Sequence, residues 1–164
     1  MANDKNALVP NKIKALKKFF KALETLRAEG ILINKKDFTC QLGEWLVETM
    51  YDGKRARSGI QPGWDVEANG MHIQVKAHAK AETNKAKFSA VNPRTKEKID
   101  ELIIVVFTQD YKLKRFYKIP WRAAKKHIHP RGKAQRPELN WSAVENFRVE
   151  VGDLPRQDIV QFFR

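Results

Sequence analysis

Three residues that could act together lie close in the sequence: Asp65, Gln74 and Lys76. Carboxylate and amide oxygens are the ligands that hard divalent cations prefer, and a lysine ammonium beside them adds a compact positive charge. Side chains from one segment can cooperate only if the fold turns them to the same place. The conformation of the segment that joins these residues therefore decides what chemistry they can do.

The segment from Trp64 to Lys76 has the pattern of a β-hairpin. Asn69-Gly70 is flanked by alternating residues, and this dipeptide favours a two-residue type I′ turn, because both central positions need a positive φ. Closing the hairpin at this turn sets a single register. The predicted opposed pairs are Ala68 and Met71, Glu67 and His72, Val66 and Ile73, Asp65 and Gln74, and Trp64 and Val75.

Alternation along the two strands assigns each residue of the hairpin to a face. The predicted apolar face carries Trp64, Val66, Met71, Ile73 and Val75. The other face carries Asp65, Glu67, His72, Gln74 and Lys76. The acid, the amide and the lysine therefore converge. The simpler interpretation of the same alternation is a hairpin that is packed on one face and solvated on the other.

At these residues the chain resembles the PD-(D/E)xK nuclease superfamily, also called restriction-endonuclease-like. In that family an Asp and a Glu on adjacent strands hold one or two divalent cations, and a Lys two residues after the Glu positions or activates the attacking water. The resemblance implies that Asp65 matches the Asp, Gln74 occupies the place of the Glu, and Lys76 matches the Lys. Gln is a variant found at this place in some branches of the superfamily. Pro62 precedes Asp65 by three positions, where the family signature has one.

A helix is predicted upstream of the hairpin. Asp37 is a good N-cap and Gly53 a good stop, and residues with helical spacing lie between them. These residues are Phe38, Leu42, Trp45, Leu46, Thr49 and Met50. Glu44 lies off this stripe beside Gly43, which would let the helix approach a neighbour closely. Many PD-(D/E)xK nucleases carry a Gly-Glu pair in such a helix, so the resemblance places Glu44 at the metal site. The alternative is a solvated surface acid, which we expect for Glu48.

The charge of the chain favours a polyanionic partner. Lys and Arg outnumber Asp and Glu by 32 to 19, which gives a formal net charge of +13. Such an excess gains affinity for nucleic acid by releasing condensed counterions. We expect contacts with nucleic acid from Lys54, Arg55, Arg57, Lys80, Lys85 and Lys87, with Arg55 and Arg57 as the first candidates for holding the phosphate backbone. Ribosomal and membrane-surface proteins can be equally basic, so charge alone defines only a class of partner.

The rest of the pattern predicts mixed α and β elements. A basic helix is expected from Lys12 to Glu29. The apolar run from Glu101 to Phe107 has the composition of a strand buried on both faces. An edge strand from Tyr111 to Ile119 and a short helix from Pro120 to near His127 are expected to follow. Residues 127–137 are predicted to form a basic loop. Aromatic residues predict that the C-terminal segment packs on the core: Trp141, Phe147, Phe162 and Phe163.

The resemblance implies an α/β fold with a restriction-endonuclease-like αβββαβ core, in which helices flank a mixed central sheet. The length of 164 residues suits one nuclease-like domain, with a basic N-terminal helix over 1–36, the core over 37–127, and a basic loop and packed C-terminal segment over 128–164. Cys40 has no second cysteine to pair with, and no apolar run has the length of a membrane span or of a signal peptide. These features predict a cytoplasmic protein without a membrane partner.

The resemblance and the charge together predict a metal-dependent endonuclease that hydrolyses DNA phosphodiester bonds. Mg²⁺, with Mn²⁺ as a substitute, would be held by Asp65, the Gln74 amide oxygen, the Val75 backbone carbonyl and Glu44. The expected partner is duplex or branched DNA, and a homodimer is compatible with this assignment. The main alternative is a non-catalytic DNA-binding protein that has kept the nuclease fold and the basic surface. An RNA-associated structural protein is a third hypothesis, supported by charge alone.

Overall fold

The structure is a computed structural model, and it describes residues 5–56, 63–80, 87–95 and 98–164. The predicted nucleic-acid contacts Arg57 and Lys85 lie outside these residues. The chain divides into two compact units, Met1–Ile33 and Asn34–Arg164. The first unit contains one long helix, which starts well before the Lys12 that we predicted and includes Pro10. In the described part of the chain, no helix combines the length and apolarity needed to cross a bilayer.

The helices and strands follow one another along the chain in a mixed order. The helices are α1 (Lys5–Ala28), α2 (Phe38–Met50), α3 (Trp121–Lys126) and α4 (Gln157–Val160). The strands are β1 (Lys54–Arg55), β2 (Val66–Ala68), β3 (Met71–Ala79), β4 (Phe88–Ala90), β5 (Glu101–Phe107), β6 (Leu113–Pro120), β7 (Ile128–Arg131), β8 (Arg136–Asn140) and β9 (Arg148–Val149). Short 3₁₀ turns cover Trp141–Phe147, Val151–Asp153 and Gln161–Phe163.

The larger unit is built on a six-stranded sheet with the order β1-β2-β3-β5-β6-β9. β3 and β5 are parallel, and the other neighbours are antiparallel. The fold class is therefore mixed α/β with a mixed central sheet flanked by helices, as predicted. β6 is not the edge strand that we expected, because β9 pairs with its outer side. A short strand late in the chain could not be foreseen from its sequence, since two residues carry no periodicity.

The hairpin forms at the predicted turn. Asn69 and Gly70 have φ values of 52° and 73°, and three opposed pairs of β2 and β3 are those of the predicted register. The pairing ends at Val66, however, so the pairs predicted for Asp65 and Trp64 do not form. The Asp65 N–H instead donates to the Ile73 carbonyl, 2.8 Å away. The chain leaves the ladder at this point, so the Asp65 side chain is not directed by the pairing of the two strands and makes other contacts.

The core contains every residue of β5, all of them buried. One face of the sheet carries Tyr117 and Ile119 of β6 and packs against Leu139, Trp141 and other apolar side chains. α2 covers the opposite face and approaches β3 very closely at Gly43. A Cβ placed on Gly43 would lie 2.3 Å from the Cβ of Ala77, so only glycine fits this contact. The close approach predicted from Gly43 is therefore present.

The segment that we predicted as a basic loop over 127–137 is instead part of a second sheet, with the order β4-β8-β7. Proline at 130 and 137 did not prevent strand formation, because the two prolines face each other across the β7–β8 pair. The C-terminal segment packs largely as expected. Trp141 and Phe163 are buried, whereas Phe162 is 79% exposed and contributes little to the core.

Candidate functional site

The helix that carries Glu44 begins as the sequence predicts. The Asp37 carboxylate accepts a hydrogen bond from the Cys40 N–H at 3.0 Å and therefore caps α2. The Cys40 thiol donates to the same carboxylate, and burial together with that negative charge raises the pKa of Cys40 to about 12. Cys40 is thus a partly buried, unreactive thiol.

Glu44 is buried, with only 3% of its surface exposed, so it is not the solvated acid of the alternative interpretation. Its carboxylate lies 2.5 Å from the Lys36 ammonium. The same ammonium lies 2.6 Å from the Asp65 carboxylate. One lysine therefore brings together the two acids that the sequence assigned to the site. We call this cluster of Lys36, Glu44 and Asp65 the acid triad.

The second oxygen of Asp65 is also used. It accepts the Val75 N–H at 2.8 Å, and this contact replaces a ladder bond that the departed strand no longer supplies. The Asp65 carboxylate is thus held at the edge of β3, beside the backbone between Gln74 and Lys76. The predicted register would have paired Asp65 with Gln74 across the hairpin, with both side chains on the same face of the sheet. The difference follows from the early end of the β2–β3 pairing at Val66.

Lys36 was not among the residues predicted for the site. The loop before α2 holds it in place, because the buried Gln41 side chain accepts the Asn34 N–H and donates to the Lys36 carbonyl. The Asn34 side chain in turn accepts the Lys36 N–H at 2.9 Å. The periodicity of the sequence gave no sign of Lys36. The two features that explain its position are the buried Gln41 amide and the buried Glu44 carboxylate, and both are visible only in the folded chain.

The charges of the acid triad affect one another. Burial and the nearby Asp65 carboxylate together raise the pKa of Glu44 to about 7, against the opposing effect of Lys36. For Lys36, burial acts to lower the pKa, but the Asp65 charge and the hydrogen bonds to Asp65 and Glu44 outweigh it and raise the pKa above 10.5. The triad therefore contains a lysine that holds its proton more firmly than a free lysine and a glutamate that ionises less readily than a free one.

Gln74 and Lys76 lie on the same face of β3, as predicted, because they are two residues apart on a strand. Ala77, on the other face, contacts α2 at Gly43. Glu44 thus approaches β3 from the face opposite to the one that carries Gln74 and Lys76. Asp65 lies between them at the edge of the strand.

Gln74 is 8% exposed, and its Oε1 has no hydrogen-bond partner among the described residues. A buried amide oxygen in this state costs free energy, roughly 1–3 kcal/mol. It is also a ready ligand for a cation. The carboxylate of Asp65 and the amide oxygen of Gln74 are the kinds of ligand that Mg²⁺ or Mn²⁺ prefers. The described residues contain no cluster of three or more His, Cys, Asp and Glu side chains placed to hold a metal, so a metal here would depend on amide and backbone oxygens as well.

The residues predicted to contact nucleic acid fall into two groups. Lys54 and Lys87 are exposed. Arg55 is not available to hold phosphates as we predicted, because it is 6% exposed and its Nε lies 2.7 Å from the Glu48 carboxylate. Glu48 also accepts the Arg55 N–H, so it is a structural partner and not the solvated acid that we expected. Lys80 lies over the ring of Trp141, with its ammonium 5.1 Å from the ring centroid.

A second polar cluster lies near the carboxyl end of β3. The Ser89 hydroxyl, fully buried, accepts the Trp141 Nε1–H at 2.9 Å and is 2.8 Å from Nε2 of His78. Burial, helped by the charges of Lys80 and Lys76, lowers the pKa of His78 to about 4. His78 is therefore neutral near pH 7, and its ring can accept the hydroxyl proton of Ser89. We call this cluster the serine network.

The chain matches no model of a known protein family, and no curated protein is significantly similar to it in sequence.

Proposed function

We propose that the chain is a metal-dependent endonuclease of the PD-(D/E)xK type that hydrolyses DNA. The observation that carries this proposal is the acid triad, in which Glu44 and Asp65 share one cation at the edge of the strand that carries Gln74 and Lys76. Two carboxylates kept close to each other repel, and a protein that needs only stability has little reason to bury such a pair. The buried Gln74 oxygen, which has no hydrogen-bond partner within the described part of the chain, is a second sign of a site that is not built for stability.

The roles of the residues follow from their atoms. Asp65 and the Gln74 amide would hold a divalent cation at the edge of β3, with the Val75 carbonyl as a further oxygen donor and with Glu44 contributing from the side of α2. A bound divalent cation supplies a water of lowered pKa and positive charge beside the scissile phosphate. Lys76 orients the attacking water and stabilises the negative charge that grows on the phosphate during the reaction. The net charge of +13 draws the polyanionic substrate to this surface.

Lys36 has a particular part in this proposal. Its ammonium contacts the carboxylates that would bind the metal, so the two cations compete for the same oxygens. Lys36→Met should therefore raise the affinity for Mn²⁺, measured by titration calorimetry with the folded protein. Lys35→Met changes the neighbouring exposed lysine and should leave the affinity unchanged. If Lys36→Met binds no more Mn²⁺ than the parent, the triad is an internal ion cluster and not a metal site.

The test of the activity itself is cleavage of supercoiled plasmid DNA with Mg²⁺ or Mn²⁺. Asp65→Asn should lower the rate by about 100- to 1000-fold, because it removes one charged oxygen from the site. Asp100→Asn is a matched control. Asp100 also accepts a backbone N–H of β3, that of His72, but it lies outside the acid triad. Equal cleavage by the parent and Asp65→Asn would remove the proposed site.

The second candidate is a DNA-binding protein that does not cleave. It is favoured by the observation that Lys36 already neutralises the acids and that an amide replaces the second acid of the family at Gln74. Gln74→Glu separates the two functions. In a working site the change keeps or raises metal affinity and cleavage persists. In a remnant the parent binds duplex DNA with a steep salt dependence but nicks neither duplex, branched nor single-stranded DNA with any divalent cation.

A further inference from the structure

We propose that the two-stranded ribbon of β7 and β8 is a docking arm for duplex DNA. This inference rests on the proposed function for its choice of DNA as the partner. The ribbon joins residues that the sequence had placed in a loop, and its turn is formed by residues 132–135. Residues 129–136 are all exposed. The ribbon thus presents a continuous accessible surface that ends in a turn.

The charge of this region is strongly one-sided. From Arg122 to Arg136 the chain has six basic residues and no acid: Arg122, Lys125, Lys126, Arg131, Lys133 and Arg136. The first acid that follows is Glu138, whose carboxylate lies 3.7 Å from the Arg131 guanidinium. One acid cannot neutralise the ribbon. The remaining positive charge is what a polyanion would recognise.

The positions of two arginines in the ribbon lower its stability. Arg131 and Arg136 are direct cross-strand partners next to the turn, and like charges in that position destabilise a β pair. Selection for stability alone would place an opposite charge or a neutral residue at one of these positions. An anion bound between the two guanidinium groups would remove the repulsion. The pair therefore indicates a ligand with closely spaced negative charges.

The opposite face of the ribbon is anchored. Ile128 and Leu139 are partners in the β7–β8 pair and are buried in the core, so the arginine pair faces away from it. Ser89 on β4 pairs with Leu139 and bonds to His78 of β3. The serine network thus connects the ribbon to the strand that carries Gln74 and Lys76. DNA held by the ribbon would be held on a fixed platform and not on a loose loop.

Two features favour duplex over single-stranded DNA. The Arg131 guanidinium stacks on Phe88, 3.3 Å from the ring centroid, so this ring is covered and cannot act as a stacking platform for unpaired bases. A two-stranded ribbon also has the width that the major groove, about 12 Å wide, admits. Stacking on Phe88 further fixes the plane of the guanidinium before DNA binds.

The test is the affinity of the full chain for a fluorescent duplex and for a single strand of the same length, measured by anisotropy in EDTA across a salt series. The double variant Arg131→Gln/Arg136→Gln should lose at least about 10-fold in duplex affinity, with the salt slope reduced by about 2. Its affinity for the single strand should change by less than about 3-fold. Arg131→Lys/Arg136→Lys keeps the charge and should retain most of the duplex affinity.

The control is Arg148→Gln/Arg156→Gln, which removes two arginines that are already paired with their own carboxylates. It should change duplex affinity by less than about 3-fold. An equal loss in the two double variants, or an equal loss for duplex and single strand, would overturn the docking arm. Because no cleavage occurs in EDTA, these outcomes do not depend on the proposed nuclease activity. A protein that binds through the ribbon but never cleaves would contradict the proposed function and not the docking arm.

Discussion

The two polar clusters beside β3 differ in how the hydrogen bonds and charges of their side chains are satisfied. In the serine network, the Ser89 hydroxyl bonds to Trp141 and to a neutral His78. In the acid triad, two acids share one lysine, and the Gln74 oxygen, on the other face of β3 from Glu44, has no partner among the described residues. A cluster whose atoms are satisfied internally stabilises a fold. A cluster with unused oxygen ligands and crowded charge has capacity for an external ligand, and this difference is the reason for assigning function to one and structure to the other.

The largest expected contrast concerns cleavage. Lys76→Met removes the charge that the proposed chemistry needs and should lower the rate of plasmid cleavage by about 100- to 1000-fold. Ser89→Ala removes the centre of the serine network and should leave the rate within about 3-fold at a temperature where the variant is folded. A Ser89→Ala protein as inactive as Lys76→Met would erase the functional difference between the clusters.

Gln74 should show opposite effects on activity and stability. Gln74→Met has nearly the same volume and removes a buried amide whose Oε1 has no partner among the described residues, so the free energy of unfolding should stay constant or rise by about 1–2 kcal/mol. Cleavage should fall by about 100-fold, because a cation ligand is lost. Urea unfolding and plasmid nicking measure the two effects. Destabilisation of more than about 1 kcal/mol would mean that the Gln74 amide has hydrogen-bond partners in solution and a structural role.

Gln41→Met is the comparison. The buried Gln41 amide holds the loop that carries Lys36, so its loss should lower the free energy of unfolding.

The serine network should contribute to stability. Ser89→Ala leaves the Trp141 N–H and the His78 ring without their partner in a buried place, and we expect a loss of about 2–4 kcal/mol in the free energy of unfolding. Ser142 is exposed, and Ser142→Ala should cost less than about 0.5 kcal/mol. A loss as small as that of the control would show that water replaces the hydroxyl and that the network is not tightly packed.

The smallest effect is a pH dependence. His78 has a pKa of about 4 in the folded protein and 6.5 in the unfolded chain, so between these values the unfolded chain binds the extra proton. Stability from this group is complete above pH 6.5 and is lost as the pH falls towards 4, by about 2–3 kcal/mol in total. Chemical unfolding at pH 7 and pH 4.5 should show a smaller difference for His78→Gln than for the parent. His129→Gln, at an exposed position, should behave like the parent.

Local rules predicted the parts of the site that depend on neighbours in the sequence. Asn69-Gly70 set the turn and the first three pairs of the hairpin, Asp37 capped α2, and Gly43 gave the close contact with β3. Each of these follows from the sterics or hydrogen bonding of a few adjacent residues. The buried strand β5 was predicted equally well, because an apolar run of this length is stable in water only when it is buried in the core.

The predictions that failed concern contacts that the periodicity of the sequence does not reveal. The end of the ladder at Val66 and the pairing of Arg55 with Glu48 are set by tertiary contacts. Lys36 lies in a loop, where periodicity carries no information, and it meets Asp65 only in the folded chain. The β7–β8 ribbon was missed because two prolines in a basic segment favour a loop when read alone.

Anomalous diffraction from crystals soaked in Mn²⁺ would show whether Asp65 and Gln74 bind a metal together. We expect a manganese peak bonded to an Asp65 oxygen and to the Gln74 amide oxygen, with the Lys36 ammonium moved away from the position between Glu44 and Asp65. The same soak of Asp65→Asn crystals should give no peak at this place. Parent crystals in saturating Mn²⁺ that show no metal there, with Lys36 still bound to both acids, would mean that these residues do not form a metal site.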